Sequence, residues 1–392
     1  MKLSVSAAPL FFEERHRALG VDLARIAKLL QEAPHGPSAA ATVARALGEK
    51  HGLYALLVPE ALGGFPVGRR EDRTAVDVRA LCLVREMLGY ACPLGDAIFA
   101  VQGLGSYPIV LSGSKAQRDR VLPSVVNGTK IGAFALTEPE AGSDVAAMRC
   151  VARREKDAFV LDGEKVFISN VGIASHYVVF ANANPSEGRK GISAFLVDAG
   201  TPGLAEEPMP MSIDHPIGRL RLTGCRVSED ALIGNLGDGF KLAMQTLDTF
   251  RLTVGAAAVG MASRALDEAI ARVKVRSQFG KPLAEQPIVQ SKLADMATQL
   301  EASRLLVLRA AHAKDTGQAR VSTEAAMAKL YATEAAQRII DDAVQLFGGL
   351  GVSAGQVVER LYREIRPLRI YEGTSEIQRL IIGTALVREP KS

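Results

Sequence analysis

Ala158-Phe159-Val160-Leu161-Asp162-Gly163-Glu164-Lys165-Val166-Phe167-Ile168-Ser169 breaks with the helical texture of the residues before it. Apolar, β-favouring arms flank Asp162-Gly163, a dipeptide suited to the left-handed backbone of a two-residue hairpin, so the run predicts two antiparallel strands. Alternation puts Phe167 and Ser169 on one face of the second arm. Further β-rich runs follow at 176–180, 192–197 and 219–223, with Gly and Pro between them. Together they predict a small antiparallel β domain over residues 133–238.

The flanks read differently. From about residue 10 to 132 the period is helical, interrupted by the turn at Val58-Pro59-Glu60-Ala61-Leu62-Gly63-Gly64 and by Pro93 and Pro108. After Gly239 it returns in segments of about 240–277, 286–314, 322–347 and 355–364, with a last one from Ser375. Helices this long bury an apolar stripe against neighbours, which predicts a bundle. The expected fold is α+β: an N-terminal α domain (1–132), a middle β domain (133–238) and a C-terminal four-helix-bundle-like α domain (239–392).

The bulk composition narrows the function classes. The 392 residues are 48% hydrophobic, enough for substantial cores. Lys and Arg total 47 against 43 Asp and Glu, a dispersed +4 that offers nucleic acid no basic stripe. Cys82, Cys92, Cys150 and Cys225 lack CxxC spacing, which suits small buried hydrophobes in a reducing compartment and leaves no metal site to predict. No run approaches 18 uninterrupted apolar residues, and charge arrives by Glu13. The expectation is therefore a cytoplasmic enzyme with no membrane insertion.

GxGxxG after a strand, GxxxxGK[ST] and HExxH are all missing, so any cofactor is held otherwise. Four segments stand out. Ala135-Leu136-Thr137-Glu138-Pro139-Glu140-Ala141-Gly142-Ser143-Asp144 is a small-residue turn whose backbone N–H groups and hydroxyls can approach a ligand. Lys165-Val166-Phe167-Ile168-Ser169-Asn170 offers a ring and a hydroxyl to a flat heterocycle. Arg276-Ser277-Gln278-Phe279-Gly280 and Gln345-Leu346-Phe347-Gly348-Gly349 each close a long helix, pairing a planar donor fork with glycines. Tyr371-Glu372-Gly373-Thr374-Ser375-Glu376-Ile377-Gln378 puts Glu372 in a loop, accessible beside Gly373, before a helix that Ser375 and Gln378 open as a capping box. Each also has a plain explanation: an interdomain loop, a half-buried strand, glycine C-caps at Gly280 and Gly348, or a solvated acid.

In this order, the four segments resemble the acyl-CoA dehydrogenase family over nearly the whole chain. The resemblance implies a flavoprotein that takes two hydrogens from the α and β carbons of an acyl-CoA thioester. It implies that Phe134, Leu136, Thr137, Gly142 and Ser143 line FAD, Ser143 also touching the thioester's arm, with Phe167 and Ser169 against the isoalloxazine. Arg276, Phe279, Gln345, Gly348 and Gly349 would hold the ADP half of a neighbouring subunit's flavin, implying a homo-oligomer, typically a tetramer. Thr374 and Glu376 would complete the flavin site, and Asp248, Arg251 and Gly373 would face substrate. Glu372 matches the family's common catalytic base, and an electron-transferring flavoprotein is the implied acceptor.

Phe250, which cannot take a proton, stands where some members carry the base instead, and it is expected to narrow the acyl site. Phe167 replaces the family's usual Trp, and Glu376 a frequent Gln. Two rivals stay open on the sequence: a carrier-protein-linked, oxidase or monooxygenase variant, and a non-catalytic binding protein on a retired dehydrogenase fold.

Overall fold

Residues 2–34, 36–65, 72–318 and 320–387 are described by the computed structural model. Asp162-Gly163 does not turn the chain. Strand β3 (Ala158–Ser169) continues straight through it, and the reversal comes earlier, at Lys156-Asp157, after β2 (Val151–Glu155). Lys156 supplies the left-handed backbone there, with φ 51°. The reason is partner length: β7 (Ile217–Ser228) is as long as β3 and pairs with both of its arms. Gly163 instead absorbs a register shift, and a Cβ there would sit 2.7 Å from the Cys150 Cα.

The other strands are β1 (Gly132–Ala135), β4 (His176–Asn182), β5 (Ile192–Asp198), β6 (Leu204–Pro208) and β8 (Leu232–Ile233). The sheet order is β6-β7-β3-β2-β4-β5-β8, antiparallel except where β4 takes β1 and the first residue of β2 in parallel. Alternate residues of these strands, among them Phe159, Leu161, Tyr177, Val179, Phe195, Val197, Leu220 and Leu222, build one apolar core.

The chain forms two compact units, interleaved along the sequence. The sheet belongs to the unit of residues 34–76 and 97–250, together with the helix Lys115–Val126. The other unit combines residues 1–33, 77–96 and 251–392. Its long helices are Glu14–Leu30, Val78–Ala91, Pro287–Asp315 and Ser322–Phe347, with Val357–Ile365 and Ser375–Val387 packed on the last of these. Gly239–Val275 is continuous, contributing to both units in turn.

Two expected breaks behave differently. Pro93 opens the helix Pro93–Ser112, but Pro108 lies inside it, as does Pro123 inside Lys115–Val126. An internal proline costs about 3 kcal/mol, which burial of the flanking apolar residues Leu104, Ile109 and Val110 offsets. All four cysteines are free thiols and buried.

Candidate functional site

Within the unit of residues 1–33, 77–96 and 251–392, Glu372 and Gly373 are successive residues with left-handed backbone, φ 53° and 90°. A non-glycine residue holds such a conformation at a cost of about 1–3 kcal/mol, so neighbours must impose it. They do: Lys329 Nζ donates to the Gly373 carbonyl at 2.7 Å, Gln378 Nε2 donates to the same oxygen at 2.9 Å, and Arg251 Nε donates to the Glu372 carbonyl at 3.1 Å. The sequence suggested an accessible loop carboxyl. The side chain is instead 5% exposed, because the left-handed turn folds it inward, and its Oε2 is buried without a hydrogen-bond partner.

The capping also differs from expectation. Thr374 Oγ1, not Ser375, accepts from the Ile377 N–H at 3.3 Å. Ser375 donates to Glu334 at 2.6 Å, and Gln378 is drawn off to the Gly373 carbonyl.

Charged groups that sequence reasoning missed surround the carboxyl. Arg85, without solvent exposure, forks onto Asp96 with two 2.8 Å bonds, donates from Nη1 to Thr253 Oγ1 at 3.0 Å, and places the same Nη1 4.0 Å from Glu372 Oε1. Close helix approach makes this reach possible: a Cβ on Gly89 would lie 2.3 Å from the Ala257 carbonyl oxygen, and one on Gly260 2.1 Å from that of Glu86. Burial raises the Glu372 pKa above the usual carboxyl range, while Arg85, Lys329 and Arg251 pull it back. Burial lowers Lys329 to about 8, against the favourable charge of Glu372. The available signal was an Arg-Glu pair inside the apolar run Leu81-Cys82-Leu83-Val84-Arg85-Glu86-Met87-Leu88, and a lysine in an alanine-rich helix.

The remaining expected residues of this unit lie outside that buried cluster. Phe279 (φ 53°) and Gly280 (φ 77°) form the two-residue turn of a small hairpin, Ser277–Gln278 with Lys281–Pro282, so Gly280 is a hairpin residue and not a helix cap. Phe279 is 96% exposed, with Arg276 exposed beside it. Gly348 does terminate its helix, and Gln345, Gly348 and Gly349 are exposed, with open space where a Cβ would stand on either glycine. Glu376 is exposed on the first turn of Ser375–Val387.

Within the unit that holds the sheet, the turn after β1 and the middle of β3 form one cluster. Lys165, fully buried, donates to Glu138 Oε1 at 2.7 Å and to the Leu136 carbonyl at 3.1 Å. Glu138 in turn accepts from the Arg149 and Cys150 N–H groups. The Val166 N–H donates to the Thr137 carbonyl at 3.0 Å, which pins the turn to the strand. Gly142 and Ser143 are exposed at its tip, and Phe134 packs on Phe180 with ring centroids 4.9 Å apart. Alternation is interrupted at Phe167, which sits in a bulge with φ 55° and is 58% exposed between buried Val166 and Ile168, while Ser169 is half-buried. Asp248, on the helix Gly239–Val275, is half-buried. Phe250 is buried edge-on to Tyr107 at 5.5 Å, its ring filling the space that Gly103 leaves by lacking a Cβ.

Family profiles for the acyl-CoA dehydrogenase N-terminal, middle and C-terminal domains match residues 21–129, 133–225 and 237–387. The chain belongs to the acyl-CoA dehydrogenase family. As such it is an FAD-dependent oxidoreductase. It is 42% identical over 346 residues to the mitochondrial short-chain specific acyl-CoA dehydrogenase of Homo sapiens, covering 87% of this chain and 81% of that one. Among solved structures, butyryl-CoA dehydrogenase from Megasphaera elsdenii superposes with TM-score 0.86 at 33% identity, covering 96% and 99%. A chain from the Acidaminococcus fermentans electron transferring flavoprotein structure does so with TM-score 0.88, also at 33% identity and with the same coverage.

The residues of this acyl-CoA dehydrogenase fit a flavin. An exposed aromatic ring in a left-handed bulge suits a flat heterocycle, and the exposed Arg276 in one segment with the open Gly280 suits a pyrophosphate. Glu372 Oε2 is buried and without a hydrogen-bond partner.

Proposed function

We infer that this protein dehydrogenates an acyl-CoA thioester to the 2-enoyl-CoA, with Glu372 as the base. The observation that carries the reading is the Glu372 carboxyl: buried, partly unpartnered and held in a strained turn by Lys329, Gln378 and Arg251. A desolvated carboxylate with a raised pKa abstracts a weakly acidic α proton far better than a hydrated one. Bound FAD supplies hydride acceptance from the β carbon. On this reading Glu372 takes the α proton at Oε2, its backbone N–H donates to the thioester carbonyl, and Gly373 lets substrate approach closely.

Phe134, Leu136, Thr137, Gly142, Ser143, Phe167 and Ser169 would hold the flavin ring system, with Thr374 and Glu376 beside it. Arg276, Phe279, Gln345, Gly348 and Gly349 would receive the ADP half from a second subunit. The 96% exposure of Phe279 supports an assembly that covers it, for which we propose a homotetramer. Asp248 and Arg251 would face substrate. That a chain of this fold stands in the structure of an electron transferring flavoprotein supports such a flavoprotein as the electron acceptor. Buried free thiols suit a cytoplasmic setting, and the names of the human and Megasphaera relatives support short acyl chains and a place in fatty acid metabolism.

The test is anaerobic bleaching of the purified holoenzyme by a panel of straight, branched, cyclic and dicarboxylic acyl-CoA thioesters, starting with butyryl-CoA. Glu372→Gln is expected to retain FAD and bind thioester while flavin reduction slows by about a thousandfold or more. Full reduction in that variant moves the base elsewhere, and failure of every thioester to bleach the wild type overturns the reading.

A further inference from the structure

The Arg85–Asp96 pair does more than close a helix contact. Arg85 Nη1 lies 4.0 Å from Glu372 Oε1, and its position leaves it little freedom: Asp96 holds the Nε and Nη2 edge of the guanidinium and Thr253 holds Nη1. We propose that Arg85 is a positioning residue for Glu372, presenting a fixed positive charge that sets how readily the carboxylate takes a proton, with Asp96 as the counterweight that limits the effect. The proposal rests on the reading of Glu372 as the base.

Four charged groups face the carboxyl, each from a different helix: Arg85 from Val78–Ala91, Asp96 from Pro93–Ser112, Arg251 from Gly239–Val275 and Lys329 from Ser322–Phe347. Tyr371, next in the chain, is kept protonated by burial. Arg251 and Lys329 both donate to backbone carbonyls of the Glu372-Gly373 turn, so their roles are tied to loop shape. Arg85 makes no hydrogen bond to that backbone among the described residues, and its influence on Glu372 runs through charge at 4.0 Å between two buried side chains. At that separation and in such surroundings the interaction of two unit charges is several times its value in bulk water. Asp96 lies beyond the guanidinium, so its opposing effect on Glu372 is the smaller.

The arrangement makes a signed prediction that a purely structural role does not share. Removing the cation should make Glu372 a stronger proton acceptor, and removing the counterweight a weaker one. The experiment is a difference-infrared titration of the FAD-loaded enzyme without substrate, the Glu372 carboxyl band being assigned by its loss in Glu372→Gln. Arg85→Gln combined with Asp96→Asn avoids stranding a buried charge, and it is expected to raise the Glu372 midpoint by about one pH unit, a tenfold change in proton affinity. Asp96→Asn alone is expected to lower the midpoint, and Arg85→Lys with Asp96 retained should stay close to the wild type. Midpoints that all move in one direction, or that do not move, overturn the proposal. The pH dependence of anaerobic flavin reduction by butyryl-CoA is followed in the same variants. Signed infrared shifts without bleaching by any thioester leave the Arg85 assignment standing and sink the dehydrogenase reading. Bleaching with unmoved midpoints does the reverse.

Discussion

The Lys165 ammonium lies 2.7 Å from Glu138 Oε1, and neither side chain has more than 4% exposure. The pair ties the middle of β3 to the turn of residues 135–144, because Lys165 also holds the Leu136 carbonyl and Glu138 also holds two backbone N–H groups. Lys165→Met would leave a buried carboxylate unpaired, at a cost of about 3–5 kcal/mol in urea unfolding. Adding Glu138→Gln should recover part of that loss, since the amide keeps an acceptor and sheds the charge. A Lys165→Met variant as stable as the wild type would show that the pair contributes nothing to holding the turn.

Gly260 tests the helix contact beneath Arg85. An alanine there would put a Cβ 2.1 Å from the Glu86 carbonyl oxygen, so Val78–Ala91 and Gly239–Val275 would have to separate. Overpacking of this kind costs about 1–3 kcal/mol. Because Arg85 spans the same contact to Thr253, Gly260→Ala should also slow flavin reduction, while Gly383→Ala, mid-helix where a Cβ meets nothing, leaves the rate unchanged and gains about 0.5–1 kcal/mol of stability. Differential scanning calorimetry and anaerobic stopped flow read the two effects separately.

The contrast between β3 and the Glu372 cluster shows how much of the molecule its letters carry. Helices with a sustained apolar period were legible almost to the residue: 286–314 and 322–347 were expected where Pro287–Asp315 and Ser322–Phe347 stand. Asp162-Gly163 misled because a local turn preference competes with a partner strand that only the tertiary fold supplies. Glu372 could be named from its motif, but its burial could not, since that depends on Lys329, 43 residues away in sequence, and on Arg85 and Asp96 still farther off. Local patterns report periods and turns; the charges that meet at a site are joined by packing, which no spacing encodes.

His176 predicts the acid limb of stability. Its ring is buried at the start of β4, with Nε2 3.4 Å from the Gly105 carbonyl and Nδ1 unpartnered, and burial lowers its pKa to about 4. A lowered value means that the folded state disfavours the proton, so the contribution is complete above about 6.5 and is lost as the pH falls through 4. The loss amounts to about 3 kcal/mol over that window. His176→Gln should flatten the slope of unfolding free energy between those pH values, and an unchanged slope would mean that other groups produce it.

Lys329 sets the corresponding alkaline behaviour and links it to activity. Its folded pKa of about 8 lies below the usual lysine value, so the unfolded chain holds the proton more tightly and the stability contributed by the group grows as the pH rises from 8 toward 10.5. Lys329→Met should abolish that rise. The same deprotonation removes the positive charge from the donor at the Gly373 carbonyl, so the turn carrying Glu372 loosens above pH 8 just where stability increases. Flavin reduction should therefore follow a bell, its acid limb set by Glu372 and its alkaline limb near 8 by Lys329. Lys329→Arg, which keeps its charge at every accessible pH, should carry the plateau beyond pH 9 if the longer side chain still reaches the Gly373 oxygen. An alkaline limb that stays near 8 in Lys329→Arg would transfer that ionisation to another group.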